Sequence, residues 1–228
     1  MKLTSIIPSP SFRLHRFLLV ALLAFAGFVG FTGCQSMYYA TMEKFGMEKR
    51  DLLKRAVVAA RDDQKEAQVE FKDALTRMKE MYGSQGTALE STYSKLKSDL
   101  DSCTSQAGDV HKRIQDMDQV ANDLFSEWEK EIAQFTNPTF ASESRRQLSD
   151  TRSRYSQLAA ALRSAEATMD PVLRSLTEHV LFLKHNLNAA AIASLKGEAT
   201  QITTQIDTLI RQMNLSINEA DAFIKSLK

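Results

Sequence analysis

Glycine and proline are scarce in this chain: eight and four among 228 residues. That is under half of the usual combined share of roughly 12%. Folds with many tight turns need both residues, so the shortage speaks against a β-sandwich, a barrel or a doubly wound α/β fold and favours few, long helices. Cysteine is scarcer still. Cys34 and Cys103 are too few for a disulfide scaffold or a cysteine-rich zinc site. Excess charge of either sign is also missing, with 29 Lys and Arg against 28 Asp and Glu. A near-neutral, mixed surface gives no electrostatic footprint for nucleic acid.

The first 33 residues lack acids altogether and carry three bases, Lys2, Arg13 and Arg16. An uncharged apolar run of 15 residues follows, Phe17 to Phe31. A membrane-crossing helix takes about 20, so the run fits the apolar core of a secretory signal peptide better than a short membrane anchor. Phe31-Thr32-Gly33-Cys34 comes next. It is similar to the bacterial lipobox, in which small residues precede a cysteine that becomes the mature N-terminus. Phe31 stands where Leu is usual. The thiol takes a diacylglyceryl group, and small neighbours let a membrane peptidase reach the bond. Cys34 is therefore the expected lipidation site, with palmitate-type chains as the anchor. One acyl chain holds only marginally and two hold firmly. Residues 1–33 read as a signal peptide and 34–228 as one domain. Gln35 lacks the Asp that tends to retain lipoproteins in the inner membrane, which implies the periplasmic face of the outer membrane. Cleavage removes three of the 29 bases and leaves 26 against 28 acids, a formal charge of −2.

The mature chain repeats one apolar seam. From Leu89 to Phe135, 14 apolar positions recur at alternating steps of four and three, with Ser, Asp, Lys, Gln and Glu between them. An average step near 3.5 is the coiled-coil period. Gly108 lies off the seam. Upstream, Leu53 to Met81 alternates likewise, with Gln64 its one polar member, until Gly83-Ser84-Gln85-Gly86 breaks it. So short a turn makes the two helices antiparallel. After Thr136-Asn137-Pro138-Thr139, a third seam runs from Leu148 to Leu187. Pro171 lies inside it, and either kinks the helix or restarts it at the first position behind an Asp170 cap. Asn186 and Asn188 weaken the helix, Ala189-Ala190-Ala191 with Gly197 reads as a corner, and a last, shorter seam covers Ala199 to Leu227. The expected fold is all-α: an elongated antiparallel bundle, or coiled coil, of three long helices and one shorter.

Chemical constellations are thin. His111, His179 and His185 do not pair at metal-ligand spacing. Cys103 occupies a seam position, where cysteine acts as a small buried hydrophobe, although an unpaired exported thiol can also bridge two chains. No nucleophile elbow or phosphate loop is present in the mature chain. Neither a metal nor a cofactor is expected, and the chain does not read as an enzyme. Two features point outward. Arg145, Arg146, Arg152 and Arg154 crowd the start of the third helix, as contacts for an anionic partner or as a solvated face among Glu143 and Asp150. Met37, Tyr38, Tyr39, Met42 and Phe45 follow the attachment site, suited to a membrane surface or to plain helix packing.

Thr32-Gly33-Cys34-Gln35, together with the C-terminal stretch from Leu187-Asn188-Ala189 through Ala220-Asp221-Ala222-Phe223-Ile224, resembles an uncharacterised family of Gram-negative helical lipoproteins, the domain of unknown function 2959. The resemblance implies a helical lipoprotein and no activity. The function expected is that of a structural or interaction module, an adaptor tied to the membrane through Cys34. It would meet a protein partner or a second copy of itself. The alternative is a helical-bundle carrier of a lipid or other apolar ligand.

Overall fold

The seams become buried stripes in a computed structural model of the chain, which describes residues 49–83 and 88–227. The signal segment, Cys34, the Met37–Phe45 aromatics and most of the turn at 83–86 lie outside the described residues. Among the described residues five helices follow one another: α1 (Lys49–Gly83), α2 (Ala88–Ile132), α3 (Pro138–Ala167), α4 (Met169–His185) and α5 (Ala189–Ser226). The described residues contain no strand.

α1 packs against α2 and α5. The third column, α3 followed by α4, closes the ring by packing on the same two helices. Polar pairs fix the directions. Lys49 meets Glu127 and Arg77 meets Asp99, so α1 and α2 run antiparallel. Arg61 with Asp221 and Gln68 with Asn214 do the same for α1 and α5. Arg163 with Asp118 and Arg152 with Glu129 do so for α3 and α2. The result is an up-down-up-down bundle of four columns. It is elongated, since the 45 residues of α2 extend ~68 Å at 1.5 Å each. All nine predicted seam positions of α1 are buried, Gln64 included. Ser216 of α5 donates to the Gln64 Oε1 at 3.0 Å, while its Nε2 has no protein partner.

Three local features differ from the sequence expectation. First, the third column is interrupted at Thr168, three residues before the proline. The Pro171 ring would meet the carbonyl four residues back, that of Ala167, and α3 ends at that residue. The Thr168 N–H and hydroxyl both donate to the Ala165 carbonyl, at 3.2 and 2.7 Å. Pro171 becomes the third residue of α4, where a helix start leaves the N–H unpaired anyway. It is neither inside an unbroken helix nor at the first position behind Asp170. Second, the corner falls at Asn186–Asn188, not at 189–197. The Asn188 side chain accepts from the Ala191 N–H at 3.0 Å, and Ala191, Ile192 and Leu195 extend the buried stripe. At 38 residues, the last helix is longer than the 35-residue α1 rather than short. Third, α2 stops at Ile132 and leaves Phe135 off the seam, 45% exposed.

Candidate interaction surface

The inside of the bundle is filled by side chains. Phe71, Leu158, Leu162, Met169 and Leu176 are each under 2% exposed. Cys103 is fully buried among them. Burial, then the nearby carboxylates of Glu70, Asp99 and Asp73, push its thiol up to about 12, which leaves it a small packing group with little thiolate. His111 lies on the outside against Glu166 and Gln115. His179 is buried and its Nδ1 faces the Ser175 carbonyl at 2.8 Å. Among the described residues, no group of three His, Cys, Asp or Glu side chains could hold a metal ion. No described helix is long and apolar enough to cross a membrane.

The arginine-rich start of α3 does not form one patch. Arg145 and Arg152 line a shared groove of about 390 Å³ between α2 and α3, floored by Ile132, Ala133 and Leu148. Arg152 is already engaged. Its guanidinium donates to the Glu129 carboxylate at 2.5 Å and lies 5.3 Å above the Phe125 ring. That hydrogen bond holds the Glu129 carboxyl below its ordinary value. Arg146 turns along its own helix to Glu143 at 2.9 Å. Arg154 faces the other way, into a smaller groove of about 220 Å³ with Gln157 of its own helix and Glu219 and Phe223 of α5. Arg145 and Arg154 are the exposed members of the four with no ion-pair partner among the described residues.

Sequence periodicity also misses a cross-helix network one turn further along. The Tyr155 hydroxyl donates to Asp118 at 2.6 Å, and Arg163 donates to the other oxygen of that carboxylate at 2.5 Å. Burial, then the Asp118 bond, push the Tyr155 hydroxyl far up. The ring stacks edge-on with Phe125 and Phe223, at 5.7 and 5.9 Å between centroids. The network fastens α2, α3 and α5 together, and the heptad pattern carries no signal for such polar pairing. The apolar residues left outside were missed too. Phe135 and Phe140 flank the α2–α3 turn, and Leu181 and Phe182 lie near the opposite end of the bundle.

A filled core, a mixed-charge exterior and arginines spread over three faces define a class of protein: an antiparallel helical bundle whose accessible chemistry is all on its outer surface. Residues 38–227 match the family described as "Protein of unknown function (DUF2959)", and the chain belongs to that family. The match takes in the C-terminal stretch that carries the resemblance and begins after Thr32-Gly33-Cys34-Gln35. No curated protein matches the chain.

Proposed function

We propose that this chain is a lipid-anchored protein of the cell envelope whose helical bundle works as a structural or adaptor module, by binding and not by catalysis. Cys34 is the attachment site in this reading, after removal of residues 1–33. Gln35 favours the periplasmic face of the outer membrane. The observation that carries the reading is the filled core. A carrier of an apolar guest needs an internal volume of roughly 300 Å³ or more, whereas the axis of this bundle is occupied by Phe71, Met78, Leu158 and Met169. What the molecule offers a partner is its exterior. The groove of Arg145 and Arg152 and the exposed apolar residues at the two ends of the bundle are the surfaces available to a protein partner or a second copy.

Palmitate-analogue labelling of cells that express the wild type or Cys34→Ala tests the anchor. The wild type should label and the variant should not; equal labelling of both ends the reading. A photocrosslinker at Arg145 or Arg154 in intact cells tests the adaptor. A defined protein adduct is expected. Turnover of a substrate by the purified chain, with no adduct at either site, would replace the adaptor with an enzyme.

A further inference from the structure

We propose that the tip of the α2–α3 hairpin rests on the lipid bilayer, as a second membrane contact beside the Cys34 anchor. The proposal builds on that anchor reading. Its first basis is chain order. α1 starts at Lys49, whose ammonium meets Glu127 near the end of α2 at 2.6 Å. Residues 1–48 therefore join the bundle at the hairpin end. Fourteen residues, 35–48, separate Cys34 from Lys49, and even fully extended they span at most ~50 Å. A lipid on Cys34 keeps the hairpin end, not the opposite end, within that reach of the bilayer.

The second basis is how far the hairpin projects. Five residues of α2 lie beyond Glu127, so its end at Ile132 stands ~8 Å past the start of α1. α5 is level with Tyr155 at Phe223 and ends at Ser226. α3 continues from Tyr155 to Pro138, another ~25 Å. The tip therefore stands clear of both neighbouring columns.

The third basis is chemistry. From Ile132 to Ser142 the chain has eleven residues and no charge, while Glu131 and Glu143 bound it on either side. Phe135 and Phe140 are 45% and 61% exposed there. Large exposed apolar groups at the end of an uncharged loop match the apolar side of a membrane interface, where such groups sink ~5–10 Å below the headgroups. Arg145 lies five residues above Phe140, or ~7.5 Å along α3. That is the level of the phosphates when Phe140 is immersed, and the guanidinium has no acidic partner among the described residues. A guanidinium matches phosphate oxygens in charge and geometry.

The experiment uses the full chain in living cells. p-Benzoylphenylalanine replaces Phe135, Phe140 or, as a control at the opposite end, Phe182, each an exposed position. Adducts are identified by mass spectrometry. Phospholipid adducts are expected at positions 135 and 140 and not at 182, and Arg145→Glu should lower the yield at 140 several-fold. Protein adducts in place of lipid at 135 and 140 overturn the proposal and make the tip a protein-docking surface. No adduct at either position overturns it as well. Palmitate-analogue labelling is read in the same cells. Labelling without lipid adducts sinks the tip contact and leaves the anchor; lipid adducts without labelling sink the anchor and leave the tip contact.

Discussion

Phe71 lies midway along α1 with no exposed surface. It stands in a row of small neighbours, Ala67 before it and Ala74 after it on the same stripe. A large ring between alanines lets the facing columns approach while still filling the gap, so its loss leaves a cavity that alanines cannot close. Phe71→Ala should lower stability by ~3–5 kcal/mol, read from the urea midpoint. A loss under about 1 kcal/mol would mean that the core collapses around the site. Gln64, about two turns away, shows the opposite economy of design. It occupies a seam position, and only its carbonyl oxygen finds a protein donor. Unsatisfied buried polar atoms cost stability, so this residue acts against the packing that Phe71 provides. A polar seam position of this kind pins register in coiled coils, and Ser216 on α5 is the partner that would register against it.

At the scale of the helix, the ends matter more than the middles. Asn137 starts α3, and its side chain accepts from the Thr139 and Phe140 N–H groups at 2.9 and 3.4 Å, with Pro138 at the first helical position. Asn137→Ala should cost ~1 kcal/mol, the usual worth of such a cap, in a urea titration. Gly108 is the converse case. It sits inside α2 on an exposed face, and a Cβ added there would meet nothing within 4 Å. Gly108→Ala should raise the urea-derived stability by ~0.5–1 kcal/mol; a loss would place an unseen contact at that face. The same contrast explains what could be read from the sequence. Columns were legible because burial imposes a period on many residues at once, and a wrong residue or two does not hide it. Breaks were less legible. The Pro171 signal acts four residues upstream, so the interruption appears at Thr168. The Ala189–Ala191 run was mistaken for a corner, although Ile192 and Leu195 continue the stripe through it. The arginines were found as a cluster in sequence, but the rotation of a helix sends Arg145, Arg146 and Arg154 to different faces, and only the partners on α2 and α5 decide which of them stays free.

Across the whole molecule, the ion pairs tie columns together from outside while the apolar seam holds them from within. Arg61 of α1 donates to Asp221 of α5 at 2.8 Å, and that hydrogen bond holds the Asp221 carboxyl below its ordinary 3.8. Arg152 of α3 does the same for Glu129 of α2, which lies below its ordinary 4.5. A carboxylate whose value is depressed by folding stabilises the fold above its unfolded value. The contribution disappears as pH falls through the folded value. The Arg61–Asp221 contribution should therefore be complete near neutral pH and fade only below 3.8. The pair is partly exposed, so it is worth no more than ~1 kcal/mol. Urea midpoints of wild type and Asp221→Asn, measured from pH 6 to pH 2.5, should show a gap that is constant down to about pH 4 and closes below it. The seam is filled mainly by apolar side chains, which carry no charge to gain or lose in acid; its buried polar members are Gln64, His179 and Ser216. Acid should accordingly reduce stability while leaving the helical signal of the folded bundle at full strength in the absence of urea. A loss of helicity in step with the closing gap would show that the surface pairs, not the core, hold the four columns together.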